Sequence, residues 1–172
     1  MPKKNILVTG PPRCGKSTLL QKVSTKLNGP ARGFFTREMT EKGMRIGFSI
    51  NTMGGWEGIL AHQSMPSRYR VGKYGVNLKD IDDIAVPAMI PSGQEEIVVI
   101  DEVGKMECFS SLFKQTLIEV LDSPNRVLGS IALRGNPFIE DIKLREDVMV
   151  IDVTIQNRDM LVDQLLDTLK AL

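Results

Sequence analysis

The stretch Gly10-Pro11-Pro12-Arg13-Cys14-Gly15-Lys16-Ser17 matches the spacing G-x-x-x-x-G-K-[ST], and its flanks give the match physical content. Before it, Ile6, Leu7 and Val8 form the short apolar run of a buried parallel strand. After it, Leu19, Leu20, Val23 and Leu27 recur at helical spacing. The loop therefore joins a strand end to a helix start. There the free N–H groups of the first turn, the helix dipole and a concave row of loop amides face one small volume, which suits a polyanion such as a triphosphate. Gly10 and Gly15 allow a close backbone approach that a Cβ would obstruct, and Lys16 sets a flexible positive charge on the β- and γ-phosphates. Ser17 offers a hydroxyl to Mg2+, which prefers octahedral oxygen coordination and needs only one or two protein oxygens beside phosphates and water. Thr18 is expected at the α-phosphate. Cys14, among amides that favour a thiolate, could block the loop on oxidation, but a small residue at a variable position is the simpler reading.

A second motif points to the same chemistry. Ile97-Val98-Val99-Ile100 is a run of four β-branched residues that ends in Asp101-Glu102, a buried strand with carboxylates at its C-terminal end. That end is where ligands collect in an open α/β sheet. With this strand beside the first, Asp101 is placed to hold a magnesium-bound water and Glu102 to aim at the water that attacks the γ-phosphate.

The 172 residues predict one domain, 1–172, long enough to bury a sizeable core. A net charge of +1 gives no single-sign field, so nucleic acid is not the expected partner. Lys3 and Lys4 precede an apolar run too short for a signal peptide or a membrane span. The two cysteines, Cys14 and Cys108, are too few for a disulfide framework or a Cys-rich zinc site. The expectation is a cytoplasmic protein. His62, the sole histidine, has no partner at catalytic or metal-ligand spacing and reads as a strand residue.

Gly29-Pro30 ends the first helix, and residues 33–63 read as an antiparallel meander, since Met44, Ile46, Phe48 and Ile50 alternate with Arg45, Gly47, Ser49 and Asn51. This meander is a candidate wall or lid over the nucleotide. Residues 67–77 mix basic, aromatic and glycine residues without period and read as a loop. Arg68, Arg70 or Lys73 could there neutralise γ-phosphate charge, or the loop is simply solvated. A short helix is expected within 78–90. Phe109, Leu112, Phe113, Leu117, Val120 and Leu121 form one helical core stripe, and Met160, Leu161, Leu165, Leu169 and Leu172 another, with Asn157 as its candidate cap. Between them fall strands at 126–132 and 148–153 and a short helix at 136–144. Alternating strands and helices predict a doubly wound, mostly parallel α/β sheet carrying the antiparallel insert.

Three activities fit these groups: hydrolysis of nucleoside triphosphates, a nucleotide or small-metabolite kinase, and a nucleotide-controlled binding switch. Asp101-Glu102-Val103-Gly104 has the D-x-x-G spacing of a switch, but the guanine-reading Asn-Lys-x-Asp is absent from the chain. Broad acceptance of ATP, GTP and pyrimidine triphosphates follows more easily. A kinase needs a water-excluding lid with phosphate-clamping arginines; Arg134 and Arg145 flank Asn136-Pro137-Phe138, but that helix is short for a lid.

The phosphate loop, Arg70-Val71-Gly72-Lys73-Tyr74-Gly75-Val76, Val99-Ile100-Asp101-Glu102-Val103-Gly104-Lys105-Met106-Glu107, Gly135-Asn136-Pro137-Phe138 and Asn157-Arg158-Asp159 together resemble the THEP1 family of nucleoside-triphosphatases over essentially the whole chain. The resemblance implies a three-layer, RecA-like or kinase-like P-loop NTPase fold of monomer size and magnesium-dependent hydrolysis of ATP, GTP and other triphosphates. It also implies nucleotide contacts at Gly10, Pro11, Pro12, Arg13, Cys14, Gly15, Lys16 and Ser17, and around Val98, Val99, Ile100, Asp101, Glu102, Val103, Gly104 and Lys105. Lys105 and Glu107 would border the γ-phosphate or cap the turn after the strand. Arg158 would stack on the base, or Asn157 and Asp159 would simply cap a helix.

Overall fold

The structure, a computed structural model, describes residues 2–172. Strand β1 (Asn5–Thr9) enters the phosphate loop and helix α1 (Lys16–Thr25) leaves it. The expected meander follows as β2 (Ala31–Glu41), β3 (Met44–Thr52) and β4 (Glu57–His62), paired antiparallel in sequence. The segment read as a loop is instead a hairpin, β5 (Arg70–Val71) against β6 (Tyr74–Val76), and β6 adds to β4. Strands this short show no alternation for a sequence pattern to reveal.

Residues 78–89 are helical in three pieces: α2 (Leu78–Asp80), a π-helical turn (Ile81–Ala85) and α3 (Val86–Met89). The carboxylate strand is β7 (Ile97–Val103), followed by α4 (Ser111–Asp122), β8 (Arg126–Ile131), α5 (Pro137–Lys143), β9 (Val148–Asp152) and α6 (Arg158–Ala171). Ser110 and Asn136 accept from the amides of Phe113 and Ile139 and so cap α4 and α5; such caps contribute about 1 kcal/mol each.

The nine strands found among the described residues form one sheet in the order β5-β6-β4-β3-β2-β7-β8-β1-β9. From β2 to β9 every pairing is parallel, and the meander and hairpin continue the sheet sideways in antiparallel fashion. The meander therefore extends the sheet sideways. A second expectation is corrected as well: β7 is not the neighbour of β1, because β8 lies between them.

Alternation along the central strands sorts two cores. Leu7, Val98, Ile100 and Val127 face α3, α4 and α5, whereas Ile6, Val8, Ile97 and Leu128 face α1 and α6. Three layers result. The α4 stripe holds at Phe113, Leu117, Val120 and Leu121, all buried, which at about 2 kcal/mol each anchors the helix. Phe109 and Leu112 are exposed: Phe109 belongs to a 3-10 turn (Glu107–Phe109) that precedes α4, and Leu112 lies in the first turn of α4 away from its buried face. In α6 the buried face is Leu161, Val162, Leu165 and Leu169; Met160 and Leu172 point outward. Among the described residues no helix is long and apolar enough to cross a membrane.

Candidate nucleotide site

The phosphate loop sits at the C-terminal end of β1, and Gly15 stands at the N-cap of α1 with φ +102°. That left-handed angle favours glycine, and a Cβ there would lie 3.1 Å from Cδ of Arg158. Gly15 brings no capping side chain, so the first amides of α1 remain available to an anion. The Lys16 ammonium donates to the carbonyls of Gly10 (2.7 Å) and Pro11 (3.2 Å), which holds the charge over the loop. Pro11, Pro12 and Arg13 are exposed on its outer side. Cys14 is buried among Ile6, Val8, Leu19 and Leu20, so it serves as a small core residue.

In β7 a bulge aims the acids. Ile100 pairs with Gly129 and Val103 with Ile131, so Asp101 and Glu102 together oppose the single residue Ser130 of β8. Bulges next to functional sites re-aim side chains in this way. Val98, Val99, Ile100 and Val103 are wholly buried in the core that carries the two acids. Lys105 is exposed beyond the strand end.

Asp101 is 1% exposed, and its Oδ1 accepts from Ser130 Oγ at 2.8 Å. Its other oxygen, Oδ2, is buried without a partner. Burial raises the Asp101 pKa, against which Ser130, the Ser17 hydroxyl, the Thr36 amide and the Lys16 charge favour the ionised form. Ser17 and Thr36 are near enough to act on Asp101, yet neither closes a hydrogen bond on Oδ2. An unsatisfied buried carboxylate oxygen costs about 1–3 kcal/mol or more. An oxygen in need of a partner, with a hydroxyl beside it, fits the donor set that Mg2+ takes through its waters. Among the described residues there is no cluster of three or more His, Cys, Asp or Glu that could hold a metal ion.

Burial also raises the pKa of Glu102; the Lys16 charge lowers it and the Asp101 charge raises it. Lys16 thus acts on both acids, which brings the loop and β7 to one point although β8 separates their strands. Sequence reasoning placed Glu107 at a border or a turn; it lies buried in the 3-10 turn. Burial first, then Glu102 and Asp101, push its carboxyl well above the usual range. The neighbouring Cys108 thiol is pushed up to about 12 by burial and by Glu107, which makes it inert.

The remaining basic candidates divide. Arg158 lies against the loop, its Nη1 3.5 Å from the Cys14 carbonyl, and with Gly15, Thr18, Leu19, Lys22 and Asp159 it lines a cavity of about 190 Å³. Asn157 does not cap α6; its amide group binds the Thr154 N–H and the Asp152 carbonyl and closes the turn before the helix. Arg145 is pinned by Asp147 (2.8 Å) and Asp122 (2.6 Å), Arg70 by the Lys73 carbonyl, and Arg134 is exposed. Arg68 lies over Tyr69, whose ring meets Phe109 of the 3-10 turn at 5.4 Å. His62 is half-buried at the end of β4 and accepts from the Ser64 amide. A larger groove of about 870 Å³, with Trp56 and Met53 on one side and Ile84 and Pro87 on the other, opens at the start of β2 and takes no residue from the loop or β7.

The model of a family described as NTPase matches residues 5–166. Nucleoside-triphosphatase THEP1 of Thermotoga sp. (strain RQ2) is 46% identical over 166 residues, covering 96% of this chain and 95% of that protein. The chain belongs to the THEP1 family of nucleoside-triphosphatases. Among solved structures, the crystal structure of THEP1 from Aquifex aeolicus superposes with a TM-score of 0.87 at 31% identity, over 96% of this chain and 98% of that one. The solution structure of the human cancer-related nucleoside triphosphatase gives 0.84 at 36% identity, over 98% of both chains.

Proposed function

We propose that this nucleoside-triphosphatase hydrolyses ATP, GTP and other nucleoside triphosphates, with Mg2+, to the diphosphate and phosphate, and with little regard for the base. The loop amides and Lys16 bind the β- and γ-phosphates. Ser17 and Asp101 are the residues that would hold Mg2+, which when bound draws charge from the β- and γ-phosphate oxygens. Glu102 orients a water in line with the γ-phosphorus. The water oxygen bonds to phosphorus, the bond to the β–γ bridging oxygen breaks with its electron pair leaving on the diphosphate, and the water proton passes to the Glu102 carboxylate. Lys16 meets the charge that develops on the leaving oxygen. Arg158, planar and set beside Thr18 and Lys22, stacks on any base without reading its edge.

The observation that carries this reading is the convergence of Lys16, Asp101 and Glu102, whose charges act on one another. Its test is Glu102→Gln incubated with Mg2+ and each labelled triphosphate, with and without nucleosides and nucleoside monophosphates. Free phosphate formation should fall about 10²–10⁴-fold, the range of a positioned acid or base, while triphosphate affinity survives. Turnover at the wild-type rate, or transfer that depends on an added acceptor in the unsubstituted enzyme, overturns it. The kinase reading loses ground because Arg145 is held in an ion-pair cluster and α5 is a short, capped helix.

A further inference from the structure

Arg134 has no part in the mechanism above, yet the fold sets it between the phosphate loop and the two acids. Strand β8 runs between β1, which feeds the loop, and β7, which carries Asp101 and Glu102. The end of β8 is stitched to both neighbours. Thr9 Oγ1, just before the loop, donates to the Ile131 carbonyl at 2.8 Å, and the Ala132 amide donates to the Val103 carbonyl at 3.0 Å. Ser130 on the same strand holds Asp101. Arg134 follows Ala132 by two residues, so its main chain leaves the sheet at the end where the loop and the acids lie.

The residues on either side of Arg134 are fixed by α5. Lys143 Nζ donates to the Leu133 carbonyl at 2.7 Å, and the Gly135 amide donates to Glu140 Oε1 at 3.1 Å. Arg134 itself is exposed, and among the described residues no hydrogen bond or ion pair engages its guanidinium. Other arginines of the parallel half are tied down: Arg126, at the start of β8, donates to the Leu169 carbonyl, and Arg145 is held by Asp147 and Asp122. A rigid main chain thus presents a long, uncommitted cation at the site. We propose that Arg134 is a catalytic residue of the hydrolysis, whose guanidinium meets the γ-phosphoryl oxygens from the β8 side and neutralises the charge that gathers on them in the transition state. The proposal rests on the reading of the loop and the acids as the site of hydrolysis.

The balance of charge supports this role. Lys16 is the cation that acts on both Asp101 and Glu102, so one ammonium faces two carboxylates before a triphosphate adds its own negative charge. Charge in the transition state spreads over the three equatorial oxygens of the phosphoryl group, and Lys16 serves the side next to the loop. A planar guanidinium can meet two of those oxygens at once, and it keeps its protons throughout, so the water proton still passes to Glu102. Immobilising an exposed, flexible side chain costs entropy that offsets most of its attraction to the bound substrate. The gain therefore falls mainly on the transition state, which raises kcat rather than affinity.

The test uses R134A, R134K and E102Q in the full chain. Three quantities are measured with Mg2+: single-turnover release of labelled phosphate, affinity for a non-hydrolysable triphosphate, and affinity for ADP with aluminium fluoride, which imitates the phosphoryl group in flight. R134A should lower kcat roughly 10²–10³-fold, as loss of one donor to a developing charge does. Its affinity for the non-hydrolysable triphosphate should stay within about threefold, while affinity for ADP with aluminium fluoride falls by about the factor lost in kcat. R134K, which keeps the charge without the fork, should lie between R134A and the wild type. Arg134 is exposed, so the thermal midpoint should not move. Wild-type turnover in R134A, triphosphate affinity falling in step with kcat, or a kcat loss that comes with a lowered midpoint overturns the proposal. Normal turnover in R134A beside a crippled E102Q removes this role alone, whereas normal turnover in E102Q removes the reading of the site on which it rests.

Discussion

Gly104→Ala separates geometry from hydrogen bonding at this site. The added Cβ would meet Glu102 Oε1 at 2.7 Å and Glu107 Oε2 at 2.9 Å, whereas ordinary contact begins at 3.4 Å. Glu102 must then withdraw by about 0.7 Å and Glu107 by about 0.5 Å. Gly104 is not among the glycines with a left-handed backbone angle, so alanine fits the main chain, and both obstructing atoms are ends of side chains that can move. The stability cost is accordingly small, about 0–2 kcal/mol, since overpacking of about 1–3 kcal/mol is offset in part by the entropy that Gly→Ala removes from the unfolded chain. Turnover is more sensitive: a misplacement of about 1 Å costs about 10²-fold, so roughly 0.7 Å at the aligning carboxylate implies a ten- to hundredfold loss in kcat. Single-turnover release of labelled phosphate, affinity for a non-hydrolysable triphosphate and a thermal midpoint, measured together, check this. Alanine retains the amide N–H, so if residue 104 contributed only a main-chain donor to the γ-phosphate, as its D-x-x-G spacing allows, the variant would turn over normally. A kcat within twofold of wild type would refute the steric reasoning.

Two further substitutions probe the metal and the base. Ser130→Ala leaves both oxygens of Asp101 without a protein partner and lets burial raise its pKa further, so the Mg2+ concentration for half-maximal rate should rise about tenfold and the fold should lose about 1–3 kcal/mol; an unchanged magnesium titration would speak against Asp101 as the magnesium residue. Arg158→Ala should raise KM for ATP, GTP, CTP and UTP alike, by roughly five- to 150-fold, because loss of one stacking partner costs about 1–3 kcal/mol whatever the base. Steady-state kinetics on the four substrates check it, and a loss confined to one base would mean that Arg158 reads an edge.

Legibility in the sequence followed the range of the interactions concerned. The phosphate loop was legible because its chemistry is local: eight consecutive residues between an apolar run and a helical stripe fix where a polyanion goes. The meander was legible because period-two alternation over residues 44–51 is strong. The β5–β6 hairpin was not, since two- and three-residue strands have no period to show. Phe109 and Leu112 were assigned to a core stripe by spacing alone, whereas Phe109 falls in a 3-10 turn before α4 and Leu112 faces outward from its first turn.

What the sequence could not supply is the way the acids are held. Ser130 lies 29 residues from Asp101 and carries no motif, yet its position on β8, between β1 and β7, makes it the one side chain that hydrogen-bonds Asp101 among the described residues. The bulge at Asp101–Glu102 follows from a register that only pairing with β8 reveals. Glu107 belongs to the same class, because the burial that pushes its carboxyl well above the usual range comes from tertiary packing and not from its neighbours along the chain. The local motif thus names the candidate groups, while long-range pairing sets how they are held. It follows that substitutions at 130 and 104, outside the two motif cores, should alter turnover, the first through the Asp101 carboxylate and the second through the direction of Glu102, while the triphosphate still binds.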